Sequence, residues 1–129
     1  MAANAYARED ISNGREVISD EDTIQQILSA FNDTDCRTII EVVSDSDDCL
    51  SASEVSDLCT VPLSTTYRKL ELLTEAGIFE QKLRIRRSGK HTNEYTQRIE
   101  DVRISVDADD GIELHVSRCP EQTSRLALR

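Results

Sequence analysis

Five residues within six positions, Ser64, Thr65, Tyr67, Arg68 and Lys69, set three hydroxyls beside two adjacent cations. Hydroxyls donate to phosphate oxygens or base edges, a guanidinium forks onto two acceptors, and an ammonium acts as a point charge. A second set follows closely: Lys82, Arg84, Arg86, Arg87, Lys90 and His91. This is the chemistry of holding an anionic polymer. Catalysis needs other groups, and the chain shows no paired carboxylates, no nucleophile–base pair and no glycine-rich phosphate loop. His91, in a basic turn, reads as a phosphate contact rather than a base.

The whole chain opposes this chemistry, with a formal charge of −10 over 129 residues. Its distribution resolves the conflict. Residues 1–60 hold three basic residues against fourteen acids, a balance of 3 − 14 = −11. Residues 62–98 hold eight against four, a balance of 8 − 4 = +4. A local basic patch therefore sits on an acidic protein. Only three of the fifteen basic residues are lysines. A surface rich in Asp and Glu and poor in Lys resembles that of proteins from salt-adapted archaea, a compositional reading that bears on solubility and not on fold.

The elements that must carry these residues show in the periodicity. Ile24, Ile27, Leu28 and Phe31 recur at helical spacing behind an acidic start, and Asn32 and Asp33 end that helix and can cap the next. Cys36, Ile39, Ile40 and Val43 repeat the spacing, followed by a polar loop from Ser44 to Cys49. A short third helix starts near Ser51, with Ser51 and Glu54 spaced as a capping box and Val55, Leu58 and Cys59 as its buried edge. About three residues later a fourth begins near Pro62. It buries Thr66, Leu70 and Leu73 and turns Leu63, Ser64, Tyr67, Arg68 and Glu71 the other way. Gly77 ends it.

Beyond Gly77 the period changes to two. Leu83 and Ile85 alternate with Lys82, Arg84 and Arg86, as in a half-buried strand, and a turn over 87–91 leads into a returning strand with Tyr95. A second hairpin alternates Val102, Ile104 and Val106 with Ile112, Leu114 and Val116 across the turn DADDG. Its apolar face needs a partner, either the first hairpin's sheet or a second copy of the chain. The expected fold is α+β: a winged helix-turn-helix of three or four helices, a basic wing hairpin and a C-terminal hairpin. The boundaries follow as a flexible arm over 1–18, the domain over 19–118 and a flexible tail over 119–129.

The short link between the third and fourth helices is the signature of a helix-turn-helix, whose second helix can present its first residues to the major groove. The stretch from Ala52 to Tyr95 resembles the winged-helix domains of ArsR and TrmB-like prokaryotic transcription regulators. The resemblance rests on Val-Pro-x-Ser-Thr-x-Tyr-Arg-x-Leu at Val61–Leu70, on Leu-x-x-Ala-Gly-Ile at Leu73–Ile78, and on the basic turn at the wing position. With the two preceding helices it covers about 20–100. It implies a homodimer on double-stranded DNA with an inverted-repeat operator, the helix at about 62–76 in the major groove and the wing at about 79–99 on the backbone. Leu63, Ser64, Thr65, Tyr67, Arg68 and Lys69 become recognition-helix candidates, and Arg84, Arg86, Arg87, Lys90 and His91 wing candidates.

Metal-sensing relatives pair cysteines beside this helix, whereas here Cys59 stands alone before Thr60 and Val61. Cys36, Cys49, Cys59 and Cys119 match no zinc spacing, and Cys36 and Cys59 read as small core residues on apolar stripes. The chain is therefore expected to need no cofactor or metal and to be no enzyme. It has no apolar run for a signal sequence or membrane span, which points to the cytoplasm. A rival reading keeps the fold and changes the partner. Lys82, Arg84 and Arg86 can be a solvated strand face and Tyr67 a packing residue, leaving a winged-helix adaptor for another protein.

Overall fold

The structure, a computed structural model, describes residues 15–85, 89 and 91–120. The described chain divides into two compact units, one spanning Glu21–Arg98 and one formed by the segments that flank it.

In the unit Glu21–Arg98, four helices precede a small sheet: α1 Glu21–Asn32, α2 Thr34–Asp45, α3 Ala52–Cys59 and α4 Leu63–Glu75. Their starts follow local chemistry. The Asp33 carboxylate accepts the Cys36 N–H at 2.9 Å and caps α2. Ser51 and Glu54 form the expected capping box: the Ser51 hydroxyl accepts the Glu54 N–H at 3.2 Å, and the Glu54 carboxylate accepts the Ser51 N–H at 2.9 Å. Helix α4 ends in a left-handed glycine. Gly77, at φ +80°, donates to the Thr74 carbonyl, and Ile78 donates to the Leu73 carbonyl, each at 3.0 Å. That pair of bonds is a Schellman stop, and Ile78 and Leu73 are both buried as its hydrophobic contact requires.

The sheet of this unit has the order β2–β4–β3, all antiparallel, from β2 Leu50–Ser51, β3 Phe79–Ile85 and β4 His91–Gln97. Ile27, Cys36, Ile39, Val55, Leu70, Leu73, Ile78 and Phe79 are almost completely buried. The helical stripes and the first residue of β3 thus supply the core.

The second unit is a three-stranded antiparallel sheet of order β1–β6–β5, from β1 Arg15–Ile18, β5 Ile99–Asp107 and β6 Gly111–Arg118. Ile18, Ile99, Leu114 and Val116 are buried. The Arg118 guanidinium ties β6 to β1 through Glu16, with Nη2 and Nε at 2.6 and 3.0 Å from one carboxylate oxygen.

The result is the expected α+β winged helix-turn-helix with a further hairpin. Residues 15–18, the last of the expected arm, form a strand paired with β6; Arg15-Glu16-Val17-Ile18 has no period-two alternation that would mark it as a strand. The span 19–118 divides between two units. The C-terminal hairpin does not extend the wing sheet; it pairs with β1 in a sheet of its own. Leu58, expected on the buried edge of α3, is instead 61% exposed, and the buried residues of α3 are Ala52 and Val55. Residues 1–14 and 121–129 of the expected arm and tail lie outside the described residues.

Candidate nucleic-acid interface

The site is built around the turn between α3 and α4. Thr60 adopts the left-handed conformation at φ 58° and reverses the chain. The Val61 N–H donates to the Ser56 carbonyl at 3.2 Å, and the Ser56 hydroxyl donates back to the Val61 carbonyl. Behind the turn, Thr66 is fully buried and its hydroxyl donates to the Pro62 and Val61 carbonyls at 3.0 and 3.3 Å. A polar side chain can sit in this core because its hydroxyl is satisfied. These bonds set the start of α4 with respect to α3.

With Thr66, Leu70 and Leu73 inward, helical geometry forces Leu63, Ser64, Tyr67 and Arg68 outward. All four are exposed, Tyr67 at 53%. Thr65 is half-buried at the edge of this face. Arg68 enters no ion pair among the described residues. The N-terminus of α4 differs from those of its neighbours. Pro62 supplies no side-chain cap and no acid lies in the first turn, whereas α2 and α3 each have both. The leading N–H groups of α4 and the positive end of its dipole are thus open to an anion.

Lys69 is less open than its neighbour Arg68. Its ammonium lies 3.0 Å from Asp33 and its side chain is only 15% exposed. One helical step past Arg68, the side chain points back along the flank of α4 to the α1–α2 junction. In the described structure it ties α4 to the α1–α2 junction, so a contact of Lys69 with DNA requires that pair to open.

On the wing, Arg84 places Nε 3.2 Å from the buried Glu94 carboxylate, so part of its charge is spent internally. Arg98 makes a looser pair with Glu80 at 3.5 Å. His91 is exposed at the start of β4, opposite Ile85. Arg86, Arg87 and Lys90 lie outside the described residues. The expected half-burial of the strand holds only near its start. Phe79 is buried, while Leu83 is exposed and Ile85 is 72% exposed, because the strand runs past the helices that cover its first residues. Sequence reasoning missed these two apolar residues as surface groups. Alternation with basic residues was the available signal, but alternation alone does not say where the covering layer ends.

Burial holds the Tyr95 phenol above its ordinary range, with Tyr67 and Glu71 adding to the shift. The cysteines are unpaired, and burial, reinforced by Asp33, pushes the Cys36 thiol up to about 12. Cys59, expected in the core, is half-buried. Among the described residues no group of three or more His, Cys, Asp or Glu could hold a metal ion. No helix among them is long and apolar enough to cross a membrane.

Residues 38–82 match the IclR helix-turn-helix domain, a span that begins within α2 and takes in α3, the turn, α4 and the first residues of β3. No curated protein matches the chain. Among solved structures it is similar to a possible transcriptional regulator from Methanosarcina mazei Go1, at 20% identity and a TM-score of 0.46. The likeness covers 57% of this chain and 63% of that one. The domain match supports DNA binding and transcription regulation as the class of function.

Proposed function

We propose that this protein is a sequence-specific transcription regulator that binds double-stranded DNA as a homodimer, with α4 in the major groove and the wing on the phosphate backbone. The observation that carries the reading is the outward face of α4. It sets Leu63, Ser64, Tyr67 and Arg68 beside an uncapped, acid-free helix N-terminus, immediately after a turn matched by the IclR helix-turn-helix domain. In this arrangement Arg68 forks onto a guanine edge or a phosphate, the hydroxyls of Ser64 and Tyr67 contact bases or backbone, and Leu63 meets a thymine methyl. Arg86, Arg87, Lys90 and His91 supply backbone contacts from the wing. Twofold symmetry of the dimer corresponds to an inverted-repeat operator.

The resemblance to ArsR and TrmB-like regulators and the IclR domain match agree on the helix-turn-helix and differ on the subgroup. The Lys-poor, acidic composition supports a salt-adapted archaeal source. Genome-wide mapping of DNA bound by the protein in its own cells tests the proposal. Enriched fragments sharing an inverted repeat, and shifted by the purified protein, are expected. Enrichment no greater than in a mock sample overturns it.

A second reading has one specific observation in its favour. Glu41, Val42, Asp45, Ser46 and Leu58 line a shallow groove of about 570 Å³ between α2 and α3, and residues 38–67 contain no lysine or arginine. An anionic groove with an exposed leucine suits a basic, apolar peptide segment and would make the domain an adaptor. Recovery of one stoichiometric protein partner that is lost in Leu58→Glu, with no shift of any mapped DNA, would favour that reading.

A further inference from the structure

Strand β5 lies at the edge of its sheet and carries no neighbouring strand on its outer side among the described residues. Its last five residues are Arg103, Ile104, Ser105, Val106 and Asp107. The apolar face of the hairpin is most open here, with Ile104 58%, Val106 78% and Ile112 47% exposed. An exposed strand edge with uncovered apolar residues is a template for another strand.

We propose that this edge pairs with the same strand of a second copy of the chain, antiparallel, about a twofold axis through Ser105. The inference deepens the homodimer part of the function proposed above and rests on it.

The edge of β5 is self-complementary. A twofold axis perpendicular to the sheet keeps the two apolar faces on one side, so residues of the same alternation stand opposite each other. Centred on Ser105, Arg103 faces Asp107 of the second copy and Asp107 faces its Arg103. Ile104 faces Val106, again twice. Opposite charges and apolar pairs directly across a ladder are the favourable combinations. Within one chain, Ile104 is already opposite Leu114 and Val106 opposite Ile112. The pairing therefore extends each of these into a four-residue apolar row, Ile112–Val106–Ile104–Leu114, crossing the interface in both directions.

Neighbouring registers are poorer. Centred on Ile104, Asp101 meets Asp107; centred on Arg103, the arginines meet each other. Centred on Val102, Ile104 meets Glu100, where the ladder is broken between Ile99 and Asp101. Centred on Val106, the paired segment shrinks to Ser105–Asp107 before the turn. The hairpin tip also favours a cation from outside. Asp107, Asp109, Asp110 and Glu113 cluster there, Asp107 accepts the Asp109 N–H at 3.5 Å, and Arg103 leans away toward Asp101 at 3.3 Å. The second copy's Arg103 brings the missing positive charge.

Sedimentation equilibrium and oxidative crosslinking of the full chain without DNA test the interface. Residues directly opposite in an antiparallel ladder have Cα atoms about 4.5–5.5 Å apart, within reach of a disulfide. Ser105→Cys should give a covalent dimer absent from the parent, whose own cysteines serve as background. Arg103→Cys, whose copies would stand about 13 Å apart along the strand, should not. Arg103→Asp and Asp107→Arg should each raise the dimer dissociation constant about tenfold, and the double exchange should restore it to within about twofold. Far-UV circular dichroism confirms that each variant is folded. A monomeric parent overturns this interface and the homodimer reading together. A dimeric parent in which Ser105→Cys does not bridge, or in which the single exchanges have no effect, overturns this interface alone. DNA binding is scored separately.

Discussion

Asp33 divides its two carboxylate oxygens between two helices: one accepts the Cys36 N–H at 2.9 Å and the other takes the Lys69 ammonium at 3.0 Å. One residue thereby starts α2 and holds it to α4, the helix whose outward face is the candidate DNA reader. The Cys36 N–H first and Lys69 second lower its pKa below the ordinary 3.8. A carboxyl lowered in the folded state stabilises the fold fully above its unfolded value and loses that contribution as pH falls through the folded one. Asp33→Asn keeps an acceptor for the cap and removes the charge. Its cost should be about 0.2–1 kcal/mol at pH 7, as for partly exposed ion pairs, and should vanish in strong acid. Asp33→Ala also loses the cap and should cost about 1–2 kcal/mol. Urea unfolding of the three proteins from neutral pH downward measures both. A cost for Asp33→Asn that does not shrink in acid would show that charge is not its cause.

The helix-turn-helix link stores strain at Thr60, a β-branched residue at φ 58°. Asparagine tolerates this conformation better and does not add the unfolded-state freedom of glycine. Thr60→Asn should stabilise the protein by about 0.5–1 kcal/mol. Gly77 is the mirror case: at φ +80°, a Cβ there would meet no atom within 4 Å. Gly77→Ala should therefore cost about 1 kcal/mol from backbone conformation alone. Both are read from chemical denaturation midpoints, and a Thr60→Asn variant no more stable than the parent refutes the strain argument.

Features with a local cause were legible in the sequence. The Ser51–Glu54 capping box, the Asp33 cap, the Gly77 stop and the inward and outward sides of α4 each depend on residues within one or two helical turns. What was not legible depended on distant chain. Lys69 reads as a neighbour of Arg68 until Asp33 is brought to it from 36 positions away. Leu83 and Ile85 read as buried because alternation marks a face without marking how far the covering helices reach. Strand β1 was invisible because its four residues acquire meaning only against β6. The division into two units has the same origin: it sets both ends of the described chain in one sheet, and no local pattern reports that.

Cys36 is fully buried in α2, and its thiol is pushed up to about 12 by burial and by Asp33. Thiolate, not thiol, reacts with alkylating reagents, so native Cys36 should be inert near pH 8. Iodoacetamide labelling followed by peptide mass spectrometry should modify Cys36 only in denaturant, while half-buried Cys49 and Cys119 react earlier. Labelling of Cys36 in native protein as fast as Cys49 would mean that α2 opens locally at low cost.

Arg68 and Lys69 are adjacent cations, and the structure separates their consequences. Arg68 lies on the exposed face of α4 with no ion-pair partner among the described residues, whereas Lys69 is turned onto Asp33. If Arg68 contacts a base, Arg68→Ala should weaken operator binding by about 1–3 kcal/mol, leave binding to random DNA nearly unchanged and spare stability. Lys69→Met should do the reverse, lowering stability by about 0.2–1 kcal/mol and leaving the preference for operator over random DNA intact. Replacing Arg86 and Arg87 together should weaken binding to every sequence and flatten its salt dependence by about one phosphate contact per arginine lost. Fluorescence anisotropy titrations on operator and scrambled duplexes at several salt concentrations, paired with urea unfolding, separate the three patterns. The decisive comparison is Arg68→Ala against Lys69→Met. If both lose operator preference equally, the Lys69–Asp33 pair opens on DNA and Lys69 belongs to the reading face. If neither does, α4 does not read bases through this edge.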